Sequence, residues 1–283
     1  MDHHHVPKGE IRIYGSFSNG FKTGGSDLDT AFLSDGIHNE GQLKGVLQTV
    51  ASLAQKFDFT NVTRIFSANV PILKFSQHVT DGSEGIEVDF CINNRLAVRN
   101  SDLLQCYGQC DHRVRELSRL VKAWAKKKQL VGTADGYLNS YAYMLMVIFF
   151  LQVGTNPPVL PNLQDHRLCP DEVLTPDDKW GKAEWDTRFY DQELPRMDEQ
   201  GYVGGANKSS VGELLIEFFH FYKAKPEGYQ GPRGFDWALD TVCMRRADAF
   251  KGRIDKHELM ASTAHITNSN PPPQGSDSLK NLW

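Results

Sequence analysis

The spacing of apolar residues changes once along the chain, near residue 101, and no other feature constrains the fold as much. Before that point, apolar and polar residues alternate in short runs. Ile11-Arg12-Ile13-Tyr14 is one such run. Ile86-Glu87-Val88-Asp89-Phe90-Cys91-Ile92 is another, with Ile86, Val88, Phe90 and Ile92 on one face. Alternation with period two marks half-buried strands. Strands are also predicted over 62–65, over 68–75 and around Asp27 and Asp29, where Leu28, Ala31 and Phe32 are apolar; Asp81-Gly82-Ser83 has turn chemistry. Residues 40–55 instead carry Leu43, Val46, Leu47, Val50 and Leu53 at helical spacing. The first hundred residues therefore read as an α+β unit.

Beyond residue 101 the spacing is helical. A helix is predicted over 112–130, with Val114, Leu117, Val121 and Trp124 as its apolar stripe. Residues 139–153 read as a buried helix, and its apolar run over 142–151 falls short of the ~20 residues that span a bilayer. Pro157, Pro158 and Pro161 force an extended stretch. Residues 171–206 read as a polar surface connection with short helical pieces. Ser210-Val211-Gly212-Glu213 is a capping box that opens a helix over 211–223. Residues 235–244 read as a short strand or helix, and Asn, Pro, Gly and Ser from Thr267 onward as a disordered tail.

The net charge of -4 means that affinity for nucleic acid has to come from local basic patches. Arg115, Arg119, Lys122 and Lys126 form one stripe at helical spacing, which by composition reads as a solvated basic face. The five cysteines are odd in number and no secretory signal precedes them, so free thiols in an intracellular protein are expected. Cys106, Cys110 and His112 lack a fourth partner at zinc-site spacing.

Chemistry concentrates in three acids. Asp27-Leu28-Asp29 places two carboxylates two residues apart, on one side of a strand, with Leu28 packed behind them. Asp89 lies in a strand whose other face is apolar and can reach the same rim. Crowded carboxylates suit a hard divalent cation, and three of them can hold two ions that serve an attacking hydroxyl and a leaving diphosphate. Upstream, Gly15 lets backbone approach a phosphate and Ser16 offers a hydroxyl and an amide.

With these residues in order, Tyr14-Gly15-Ser16 followed by Asp27-Leu28-Asp29 resembles the signature of DNA polymerase beta-like nucleotidyltransferases. Val88 to Asn94, running on to Ala97 and Asn100-Ser101, is similar to the third-acid segment of terminal uridylyltransferases and noncanonical poly(A) polymerases. Gly136 to Tyr141, with Leu145-Met146-Val147 and the stretch from Pro157 to Gln164, resembles their central helical domain. Ser209 to Leu215, with Phe218, Phe219 and Tyr222, resembles their poly(A)-polymerase-associated segment.

The resemblance implies a two-lobed α+β protein: a nucleotidyltransferase domain over 1–105, a mainly helical domain over 106–265 and a tail over 266–283. It implies transfer of UMP from UTP to an RNA 3′-hydroxyl by a two-metal mechanism, releasing diphosphate. A poly(A) polymerase using ATP and a weakly catalytic RNA-binding pseudoenzyme or truncated product are the alternatives. Asp27, Asp29 and Asp89 are the expected catalytic acids and ligands of two Mg2+ or Mn2+ ions. Gly15, Ser16, Asn94, Asn100, Lys122, Lys126, Ser140 and Tyr141 are the expected nucleotide contacts. Lys122 and Lys126 would meet the triphosphate and Tyr141 would stack on the base. The expected partners are UTP or ATP, an RNA 3′ end and a recruiting protein, with no membrane. The expected state is a monomer, cytoplasmic by preference over nuclear or mitochondrial. The family's segment before the Gly-Ser motif and its late nucleotide-recognition loop find no match in this chain.

Overall fold

A computed structural model describes residues 6–66, 70–77, 85–132, 135–165, 169, 174–176, 184–191, 206–225, 234–237 and 240–245. The chain divides into two compact units, Met1–Gln109 with Leu168–Asp191, and Cys110–Arg167 with Gln192–Trp283.

The first unit is built on a five-stranded mixed sheet. Its strands are β1 (Glu10–Tyr14), β2 (Leu28–Leu33), β3 (Thr60–Ile65), β4 (Ile72–Ser76) and β5 (Glu87–Ile92), in the order β1-β2-β5-β4-β3. Only β2 and β5 run parallel. Helix α1 (Gly15–Asn19) follows β1, α2 (Glu40–Lys56) follows β2 and α3 (Arg95–Cys110) follows β5. Alternation sorts the side chains onto two faces. Phe32, Leu73, Phe90 and Ile92 meet Leu43, Val46, Leu47 and Ala51 of α2. Ala31, Leu33 and Cys91 meet Val98 of α3 on the opposite face. The helical stripe read in residues 40–55 is the buried one, except that Leu53 stays 45% exposed. Asn39 caps α2 by accepting a hydrogen bond from the Gln42 amide.

Several boundaries differ from expectation. The stretch 17–26, whose Gly, Ser, Asn and Lys content marks a loop, starts within α1 and opens only from Gly20. The strand expected over 68–75 is β4; residues 67–69 and the expected turn at 81–83 lie outside the described residues. The connection expected to carry helical pieces contributes, among its described residues, the strands β6 (Leu174–Pro176) and β7 (Glu184–Asp186), paired antiparallel. Residues that follow β7 lie against α3: Arg99 donates to the Thr187 carbonyl at 3.4 Å and stacks 4.4 Å from the Phe189 ring.

In the second unit, α4 (His112–Lys127) packs against α5 (Ser140–Phe149) and α6 (Val211–Tyr222). α5 runs on through π-helical backbone, Phe150–Gly154, so the buried helix extends as far as the sequence indicated but changes its winding. A Cβ on Gly154 would stand 2.4 Å from the Phe150 ring, so only glycine allows that closure. Val114, Leu117, Val121, Ile148 and Leu151 are fully enclosed. Phe150, Phe218 and Phe221 stack edge to face or tilted around them. The capping box at Ser210 and Glu213 forms as read. No strand or helix forms among the described residues of 235–244, and the tail from Thr267 lies outside the described residues.

Candidate active site

Four strands bring four polar side chains into one row. Tyr14 of β1 is the register partner of Asp29 on β2. Asp29 is the partner of Asp89 on β5, and Asp89 of Lys74 on β4. Cross-strand partners project to the same face, and adjacent strands lie ~4.8 Å apart. One step further along the face stand Ala31 and Cys91, both buried. The acids therefore sit at the polar end of a face that is otherwise core, as the alternation of both strands requires. Asp27 immediately precedes β2, two residues before Asp29, and is half-buried.

Lys74 is the member of this row that sequence reasoning missed. Its ammonium donates to both Asp89 oxygens, at 2.7 and 2.5 Å. Burial works against its charge. The hydrogen bond and charge of Asp89, followed by the charges of Asp27 and Glu87, nonetheless raise its pKa above the ordinary lysine value. That influence places Asp27 within electrostatic reach of the same ammonium. The signal in sequence was only a lysine in an apolar run, which reads as a solvated strand position. Among the described residues, no three metal-binding side chains are drawn into a closed cluster.

Gly15 is held from both sides. Its φ of +68° belongs to the left-handed region that favours glycine, and a Cβ there would stand 2.0 Å from Asp29 Oδ2. Its amide donates to Ser101 Oγ at 2.8 Å, and that hydroxyl donates to the Ala97 carbonyl at 2.8 Å. Buried Ser101 thus ties the Gly-Ser turn to α3. Tyr14, half-buried at the end of the row, has its hydroxyl 3.4 Å from Cys91 Sγ. Burial first, then Cys91 and the charge of Asp29, raise its pKa far above the ordinary tyrosine value.

The other expected residues fall as follows. Ser16 is half-buried in the first turn of α1. Asn94 accepts from the Ala97 amide at 3.3 Å, at the start of α3, and Asn100 is half-buried within α3. In the second unit Lys122 is buried to 6% exposure while Lys126 is exposed one turn later. Arg115, Arg119, Lys122 and Lys126 therefore do not form one solvated stripe: Lys122 faces the packed side of α4, next to Val121, and Arg115 is half-buried. Ser140 and Tyr141 occupy the first turn of α5, whose N-cap is Asn139, accepting from the Ala142 amide at 2.8 Å. Burial raises the Tyr141 pKa.

The donor set fits hard divalent cations. Asp27, Asp29 and Asp89 offer carboxylate oxygens only, the ligands Mg2+ and Mn2+ take, and a cationic ammonium already rests on one of them.

Comparison with known proteins places relatives beside this chain. Residues 2–109 match the family described as the central palm domain of mitochondrial-like poly(A) RNA polymerases. The terminal uridylyltransferase cid1 of Schizosaccharomyces pombe is 32% identical over 88% of this chain and 55% of its own length. The poly(A) RNA polymerase gld-2 homolog A of Drosophila melanogaster is 33% identical over 76% of this chain and 15% of its own. This chain thus spans little more than half of one curated relative and a small part of the other. A solved cytoplasmic RNA terminal U-transferase superposes with a TM-score of 0.68 at 30% identity, covering 89% of this chain and 67% of that one. A Cid1 poly(U) polymerase bound to MgATP superposes with a TM-score of 0.69 at 29% identity, covering 92% and 71%. The chain belongs to the family of terminal uridylyltransferases and noncanonical poly(A) polymerases.

Proposed function

We propose that the chain transfers UMP from UTP to the 3′-hydroxyl of an RNA and releases diphosphate. The observation that carries this reading is the single register row in which Asp29 and Asp89 stand side by side, next to Gly15 and close to Asp27, in a member of this family. Asp27, Asp29 and Asp89 would hold two Mg2+ or Mn2+ ions, which when bound lower the pKa of the attacking hydroxyl and neutralise the leaving diphosphate.

The chain's own residues do the positioning. The sheet fixes Asp29 and Asp89 relative to each other, because their strands pair in register over five residues. Ser101 fixes the Gly15 amide and so the turn that leads to Ser16. In the second unit we assign triphosphate contacts to Lys122 and Lys126, one helical turn apart on α4. Ser140 is assigned a phosphate contact at the amide-rich start of α5, and Tyr141 a stacking contact. Asn94 and Asn100 are assigned to the ribose, the base or the RNA end. The exposed run Lys126, Lys127 and Lys128 supplies the local basic patch that a chain of net charge -4 needs for RNA.

ATP as donor is the second reading, because relatives named for either nucleotide match at nearly equal identity, 32% and 33%. An RNA primer incubated with each radiolabelled nucleoside triphosphate in turn, with Mg2+ or Mn2+, separates the two. UTP should extend the primer most efficiently. Much faster extension with ATP would overturn the donor assignment and keep the reaction class.

A further inference from the structure

We propose that Lys74 is the resident counter-ion of the acid row: it neutralises Asp89 while no metal ion is bound, and metal binding displaces it. This inference rests on the reading of Asp27, Asp29 and Asp89 as metal ligands.

Asp29 and Asp89 are direct cross-strand neighbours, and like charges in that relation destabilise a sheet. The next strand supplies the remedy at the same register, since Lys74 is the partner of Asp89. Its ammonium engages both carboxylate oxygens, at 2.7 and 2.5 Å, which are the atoms a metal ion would need. A divalent ion on Asp89 would therefore meet a positive charge already in contact with its ligand, and the two repel. The ammonium can leave. The Lys74 side chain is 40% exposed while that of Asp89 is 16% exposed, so the lysine reaches the carboxylate from the solvent side and can swing back into water.

Counter-ion exchange makes two predictions of opposite sign, whereas a merely structural lysine would move both readouts the same way. Lys74→Met keeps the apolar stem and removes the charge. Thermal melts in a chelator should show a lower Tm for this variant, because the carboxylates lose their neutralising partner. Mn2+ titrations followed by electron paramagnetic resonance, without nucleotide, should show binding roughly tenfold tighter than in the wild type. Lys74→Arg, which retains the charge, should stay near the wild type in both assays. Should Lys74→Met prove too unstable to titrate, Lys74→Gln measured against Lys74→Arg gives the same comparison.

Mn2+ binding by Lys74→Met that is unchanged or weaker would overturn the proposal, as would an unaltered melt in chelator. Asp89→Asn keeps this result distinct from failure of the functional reading. If the wild type binds Mn2+ and Asp89→Asn does not, the metal site stands whatever Lys74 does. If the wild type binds no Mn2+ at all, the metal site and the counter-ion role both fall.

Discussion

At position 15 a side chain is barred twice, by a backbone in the left-handed region and by the Asp29 carboxylate where a Cβ would stand. Gly15→Ala should therefore cost about 1–3 kcal/mol, read as a lower denaturation midpoint, and should push the Asp29 carboxylate out of the acid row. Ser101→Ala removes the acceptor of the Gly15 amide; an orphaned, part-buried amide costs about 1–3 kcal/mol. The variant should lose stability by that amount in urea melts and lose activity as well, since the Gly-Ser turn is no longer anchored. The placement of Asp29 and Asp89 on one face of the sheet was legible in sequence, because strand alternation leaves a carboxylate in an apolar run few roles. Lys74 was not, because its meaning lies in the register of β4 against β5, which no local pattern encodes. The same limit explains Lys122, whose spacing fits a basic stripe although its side chain faces the packed side of α4.

Among the elements, α4 depends on a short polar assembly at its start. Asp111 caps the helix through the Arg113 amide and binds the Arg113 guanidinium at 2.7 Å. Arg113 in turn reaches Asn207 Oδ1 at 3.1 Å and the Ser209 carbonyl at 2.8 Å, just ahead of α6. Asp111→Ala removes both cap and partner and leaves a largely buried guanidinium; it should cost about 3–5 kcal/mol in a thermal or urea melt. The pH dependence has a defined sign. Burial opposes the Asp111 charge, but hydrogen bonds and charge from Arg113 hold its pKa below the ordinary carboxylate value. The unfolded chain therefore takes up this proton first as pH falls. The contribution is fully present above about pH 4–5 and is lost as pH drops through the depressed folded value. Wild-type stability measured from pH 6 downward should fall in that window, and Asp111→Asn should flatten the fall. Helix α6 was legible to within a residue because its capping box is local chemistry. The π-helical winding after α5 was not, since Gly154 there closes onto the Phe150 ring and onto Phe221 brought in by α6.

For the whole molecule, the alternating first hundred residues and the helical remainder forecast the α+β character. A linear reading gives no sign that 168–191 returns to the first unit, because that return is made by tertiary contacts of Arg99. Arg99→Ala gives up the bond to Thr187, the stacking on Phe189 and ion pairs to Asp102 and Asp191 at 3.8 Å. A loss of about 1–3 kcal/mol is expected in urea melts, mostly from the ring contact and the carbonyl bond, since exposed ion pairs contribute little. The central claim, that Asp27, Asp29 and Asp89 make this chain a metal-dependent nucleotidyltransferase, is tested most directly by primer extension with UTP and Mn2+. Wild type should lengthen an RNA primer, lose that activity on chelation, and lose at least about a thousandfold in rate when Asp27 is replaced by Ala. Wild type and Asp27→Ala extending the primer equally, or neither extending it with any nucleotide, would contradict the account.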